Sequence, residues 1–185
     1  MLFLIILGLL KIANIPFVGA SVLGSAVGFD KEVAKRLCRD AGIQIADFLT
    51  FNLSERSKIV FSKIKAKLGL PFFIKPSNAG SSIGVSKIKS KADFSKKVKE
   101  SFRYGNKVIF EKAIQGKEIE CSVLGNENPI ASLPGRVIPK KEFYSYSAKY
   151  LDENGANFDI PAKLPKQIVK KIQEIAVRVY KILNC

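Results

Sequence analysis

Two kinds of apolar spacing alternate along this sequence and together predict an α+β fold. Val33, Leu37, Cys38 and Ala41 recur at helical intervals, as do Val60, Ile64 and Leu68 and a long final series from Leu164 to Leu183. Between them lie short strand-like runs, among them KVIFEK at 107–112 and an apolar run, polar turn and second apolar run across 72–86. A third observation is capacity: 185 residues, 47% of them hydrophobic, can bury the core of one domain or two small ones.

Charge and residue usage narrow the chemistry. The 31 basic residues against 16 acidic ones give a net charge of +15, which favours anionic partners: nucleotides, nucleic acid or acidic membrane surfaces. The lysines are spread along the chain, with no RGG repeat, recognition-helix signature or Cys/His finger, which argues against a dedicated nucleic-acid binder. Cys38, Cys121 and Cys185 are odd in number and far apart, which suits free thiols in a reducing cytoplasm. The absence of histidine excludes imidazole zinc sites and Ser-His or Cys-His nucleophile pairs. Catalysis must then use Lys, carboxylates, Tyr, Ser and backbone dipoles.

Taken in order, residues 1–10 (MLFLIILGLL) lack the basic start and cleavage site of a signal peptide and are too short to span a bilayer. They predict a buried helix feeding a strand-like stretch at 15–19. Asp30 suits the N-cap of a helix that Gly42 ends. Lys31 then lies in the first turn, where a cation opposes the helix dipole; it is either an ordinary solvated lysine or one that reaches toward a bound anion. A strand at 43–51 and a helix at 57–68 follow, then a basic amphipathic helix at 92–102 with Phe94, Val98 and Phe102 four apart. KEIECSVL at 117–124 alternates, with Glu118 and Glu120 on one face and Ile119, Cys121 and Val123 on the other. Residues 129–138 are apolar, interrupted by Pro134 and Gly135, and 139–161 read as a long irregular stretch, a functional cover or an omega-type loop, carrying Lys149 and Tyr150 together with Tyr144 and Tyr146, which suit aromatic anchoring of the loop to the body.

The stretch FFIKPSNAGSSIGVS at 72–86 is the richest in chemistry. Gly80 and Gly84 permit positive φ, Ser81 and Ser82 add hydroxyls, and Lys75 puts a positive charge at the entrance of what can be an anion nest. A polar hairpin whose glycines serve only the turn fits the same residues.

The order of IPFVGASVLGSAVGFDK, LGLPFFIKPSNAGSSIGVSK, VIFEKAIQGKEIECSVLG and FYSYSAKY followed by FDIPA resembles the D-alanine:D-alanine ligases of the ATP-grasp superfamily, collinearly over nearly the whole chain. The resemblance implies a central antiparallel sheet with flanking helices that holds ATP between two sheet layers. It matches Lys31 and Lys75 to phosphate-contacting lysines and lays the loop with Gly80, Ser81 and Ser82 over the terminal phosphates. Glu111, Lys112 and Ile114 would meet the adenine edge, largely through backbone groups, and Glu118 the ribose hydroxyls. Ser81, Lys149 and Tyr150 match the catalytic end, and tyrosine at the last position goes with D-alanine as second substrate.

The implied reaction joins two D-alanines into D-alanyl-D-alanine through an acyl-phosphate, for peptidoglycan precursor synthesis. ATP and Mg2+ serve it, in a cytoplasmic enzyme that is a homodimer at full length and needs neither nucleic acid nor membrane. Residues 1–29 would close an N-terminal substrate domain, 30–113 form the central ATP-grasp subdomain, and 114–185 begin the C-terminal catalytic domain. The family's N-terminal substrate glutamate and its acidic, Asn-containing metal motif have no counterpart in this sequence. The expectation is therefore a truncated ATP-grasp, little active alone, with a noncatalytic nucleotide-binding remnant as the alternative.

Overall fold

The computed structural model describes residues 2–140, 150, 152 and 155–185. Its α+β framework holds three antiparallel sheets. The first, in order β1-β4-β2-β3, is built from β1 (Phe48–Asn52), β2 (Phe72–Pro76), β3 (Ser86–Ile88) and β4 (Lys107–Lys112). The second runs β5 (Glu118–Glu120), β8 (Gly135–Pro139), β9 (Ala156–Asp159), and the third pairs β6 (Val123–Leu124) with β7 (Ile130–Ala131).

Period-two burial explains the first sheet. Phe72, Ile74 and Pro76 of β2 point inward, and Val108 and Phe110 of β4 join them. Against this face pack α4 (Phe61–Leu68) through Ile64 and Leu68, and α5 (Phe94–Phe102) through Phe94 and Val98. Phe61, Phe72, Phe94 and Phe110 meet ring to ring at centroid distances of 5.3 to 6.3 Å, in the edge and tilted geometries that aromatic quadrupoles favour. The opposite face receives α3 (Lys31–Asp40), whose N-cap is Asp30 as the sequence predicts, and Gly42 follows its end at φ +74°.

Several expectations shift. The strand expected at 43–51 begins at Phe48, because its partner β4 ends at Lys112, whose N–H closes the ladder on the Asp47 carbonyl. The helix expected from 57 begins at Phe61, after a 3-10 turn at Leu53–Lys58. Residues 117–124 split into β5 and β6 because the two halves pair with different strands, β8 and β7. Within 139–161, β9 is a regular strand on β8.

The N-terminal end departs most. Helix α1 (Leu2–Ile12) forms, but Phe3, Ile5, Ile6, Leu9 and Ile12 are exposed and Leu7 alone among its described side chains is buried. Its neighbour α2 (Val22–Phe29) packs against it. No strand forms at 15–19, where Pro16 has no N–H to give a ladder and Val18 is wholly exposed. Helix α2 itself arises in the small-residue segment, capped by Ser21, whose Oγ accepts the Gly24 N–H.

The final helix, α6 (Lys166–Ile182), follows the expected periodicity, yet Ile168 and Ile175 remain exposed. Its Tyr180 hydroxyl donates to the Gly125 carbonyl and Gln173 to those of Ala131 and Ser132, which docks it on the β6–β7 pair. The chain end closes on α2 at Gly24, where a Cβ would lie 2.2 Å from the Asn184 carbonyl oxygen. Among the described residues, no helix is long and apolar enough to cross a membrane.

Candidate functional site

Alternation along β2 that buries Phe72, Ile74 and Pro76 puts Phe73 and Lys75 on the other face. Phe73 pairs with Glu111 and Lys75 with Ile109, so Lys75 and Glu111 are diagonal neighbours on that face. Lys75 Nζ lies 2.5 Å from Glu111 Oε1, and Lys35 Nζ, arriving from α3, lies 2.8 Å from Oε2. Burial alone would push the Glu111 carboxyl up, but Lys75 and Lys35 outweigh it and hold the group below the usual carboxylate range. The Glu111 backbone is paired on both sides, with Phe48 and Phe73, while its side chain is the counter-ion of two lysines.

Lys31 approaches the same region from the first turn of α3. Its N–H donates to the Ser77 carbonyl at 3.1 Å, and its Nζ donates to the carbonyls of Ser77 (3.4 Å) and Ala79. Burial lowers the Lys31 pKa, and the neighbouring charge of Lys75 lowers it further, so two cations converge where the loop leaves β2. In the loop, the left-handed conformation falls on Ser81 (φ 53°), Ser82 (φ 60°) and Gly84 (φ 69°), and not on Gly80. The two serines therefore adopt the backbone expected of glycine, which suits a tight anion-facing turn. Ser81 Oγ lies 2.7 Å from the hydroxyl of Tyr150.

Lys112 ends β4 with its side chain exposed, and Ile114, just beyond, is 69% exposed. The N–H groups of Lys112 and Ala113 are already taken by the carbonyls of Asp47 and Pro71. Glu118 is exposed at the start of β5, in the second sheet. Lys149, with Tyr144 and Tyr146, lies outside the described residues. Sequence reasoning missed Lys35 and Lys107. Lys35 was within reach of it, since Lys31 and Lys35 are four apart and share a helix face.

A magnesium ion, which the resemblance implies, finds no fit among the described residues. Among the described residues no three Cys, Asp or Glu side chains gather, and Asp30, Glu32 and Glu111 are each paired with a lysine. What the arrangement offers is positive charge, hydroxyls and a left-handed turn, a setting for an extended polyanion.

Comparison with known proteins identifies the family. Residues 37–185 match the family described as "D-ala D-ala ligase C-terminus". Over 178 residues the chain is 51% identical to the D-alanine--D-alanine ligase of Oceanobacillus iheyensis and 48% identical to D-alanine--D-alanine ligase A of Salmonella typhimurium. In both cases 96% of this chain aligns with 49% of the relative, so the chain spans about half the length of the curated relatives it matches. Among solved structures, VanG D-Ala:D-Ser ligase from Enterococcus faecalis superposes with a TM-score of 0.85 at 34% identity, over 97% of this chain and 52% of that one. The D-alanine-D-alanine ligase from Coxiella burnetii gives 0.83 at 34% identity, over 97% and 47%. With the family model covering most of the chain and relatives about half identical to it, the chain belongs to the D-alanine--D-alanine ligase family.

Proposed function

We propose that this chain grips ATP within an enzyme that joins two D-alanines through an acyl-phosphate, forming D-alanyl-D-alanine for peptidoglycan. The observation that carries the reading is the convergence of Lys31 and Lys75 at the loop Asn78–Gly84, with Tyr150 on Ser81. In this reading Lys31, Lys75, Gly80, Ser81 and Ser82 hold the phosphates, and Glu111, Lys112 and Ile114 border the adenine. Glu118 takes the ribose hydroxyls, both of which can donate to a carboxylate. Ser81 and Tyr150, with Lys149, attend the substrate end. In this reading residues 1–29 close an N-terminal substrate domain, 30–113, which carry the first sheet, form the central ATP-grasp subdomain, and 114–185 begin the C-terminal catalytic domain.

The chain's own chemistry is electrostatic. Lys75 is neutralised by Glu111 when no anion is bound, so a phosphate oxygen would compete with Glu111 for it, while Lys35 keeps Glu111 compensated. The lysines and loop would then stabilise negative charge on the phosphates while the terminal phosphoryl group passes to a carboxylate oxygen of D-alanine and ADP leaves with the electrons of the broken P–O bond, which is the main task in phosphoryl transfer.

Calorimetric titration with a non-hydrolysable ATP analogue tests this. Lys75→Ala is expected to weaken binding about 10- to 100-fold, the scale of one lost charged hydrogen bond. Equal affinity in the substituted and unsubstituted chains would refute the phosphate assignment.

A further inference from the structure

The cap of α3 carries more than a helix end. Asp30 Oδ1 accepts the N–H groups of Glu32 (3.0 Å) and Val33 (3.3 Å), and these alone would complete a cap. The same oxygen accepts Ser77 Oγ–H at 2.7 Å, and Oδ2 accepts Asn78 Nδ2 at 3.2 Å and Lys107 Nζ at 2.7 Å. Ser77 and Asn78 are the residues by which the chain leaves β2 for the glycine loop, and Lys107 opens β4. One carboxylate therefore ties the helix that carries Lys31, the root of the loop and a central strand.

Neighbouring contacts reinforce the junction. Ser77 is wholly buried; its N–H donates to the Lys107 carbonyl at 2.9 Å, and its hydroxyl oxygen also lies 3.3 Å from the Glu32 N–H. Lys107 Nζ bridges Asp30 to Glu32 Oε2, again at 2.7 Å, and Glu32 Oε1 accepts from Arg36 and from Thr50 of β1. Burial disfavours the Asp30 charge, but bonds from Lys107, Ser77, the Val33 N–H and Asn78 prevail and keep it ionised. With five donors on two oxygens, which offer about four lone-pair sites, the carboxylate is saturated. It has no capacity left for a ligand or a metal, so any role at the site is exerted through its neighbours.

We propose that Asp30 is a positioning residue for the anion site, acting through Ser77, Asn78 and Lys107 to hold the glycine loop and Lys31 in register with Lys75. The proposal rests on the ATP reading above for its ligand. Lys31 follows Asp30 directly and Lys75 precedes Ser77 by two residues, so the junction sets the separation of the two lysines. Without it, the loop could move relative to α3 while the sheet stayed paired.

The test uses the full chain with Asp30→Ala, Asp30→Asn and Asn78→Ala, titrated separately with AMP-PNP and with adenosine. Amide hydrogen exchange is followed without ligand. Asp30→Ala is expected to weaken AMP-PNP at least tenfold while adenosine changes less than twofold, and to speed exchange at Ser77 and Ile83 more than tenfold with the 108–110 amides of β4 unchanged. Asp30→Asn, which keeps the acceptor shape but drops the charge facing Lys107, should fall between. Asn78→Ala leaves the cap intact and should weaken AMP-PNP a few-fold at an unchanged melting temperature; with Asp30→Asn it decides the matter if Asp30→Ala does not fold. Parallel loss of both compounds, faster exchange throughout β4, or unaltered AMP-PNP affinity in the Asp30 variants would each overturn the proposal. If the unsubstituted chain binds neither compound, the ATP reading falls, and the exchange experiment alone decides whether Asp30 holds the loop.

Discussion

Glu111 shows how one carboxylate organises a basic site. It sits between Lys35 and Lys75 with 15% of its side chain exposed, and each oxygen faces one ammonium group. Replacing it with glutamine keeps the shape but leaves two partly buried cations facing a neutral amide. Glu111→Gln is therefore expected to lower stability by about 1–3 kcal/mol in urea denaturation, since removing one member of a desolvated pair strands the others. No loss of stability would mean that the lysines re-solvate freely. Lys35 also lies 5.5 Å from the centroid of the Phe48 ring, a cation–π contact that helps hold it over the sheet.

In the β2–loop–β3 hairpin, the two glycines have different duties. Gly84 has φ +69°, and a Cβ there would lie 2.6 Å from Tyr104 Cδ2 and 2.8 Å from Pro76 Cγ. Gly80 has neither a left-handed φ nor any atom within 4 Å of a built Cβ. Gly84→Ala is accordingly expected to cost about 1–3 kcal/mol in urea denaturation, and Gly80→Ala to stay within about 0.5 kcal/mol. Equal effects would show that backbone conformation and crowding do not govern the turn. Helix α3 complements the hairpin: Val33 and Leu37 of its apolar stripe remain exposed, and Lys35, Glu32 and the Asp30 cap tie it to the sheet.

Across the whole molecule, a chain with nearly twice as many basic as acidic residues concentrates Asp30, Glu32 and Glu111 on one sheet face. All three carboxyls are held below their ordinary values, Asp30 falling from 3.8 to about 2. Because the folded values are depressed, the stability they add is fully present above the unfolded carboxyl range and is lost as pH falls toward the folded values. Asp30 alone contributes about 2 kcal/mol by this linkage. The melting temperature should hold from pH 7 to about 5 and then fall steeply toward pH 3, less steeply in Asp30→Asn. A melting temperature constant down to pH 3 would contradict these depressed values.

Local chemistry made much of this legible in the residues. The bounds of β4, the Asp30 cap, the hairpin around the glycine loop and the periodicity of the last helix follow from alternation, capping and 3.6-residue spacing, all of which act between near neighbours. The partners of the charges did not follow. Lys75 and Glu111 are 36 residues apart, and which side of the sheet Glu111 shares was settled by strand register. The split of β5 from β6, the recruitment of β9 and the helix built from small residues in α2 likewise depended on partners distant in the chain. Periodicity tells a segment which face to bury, but only the assembled sheet tells a lysine which carboxylate it will meet.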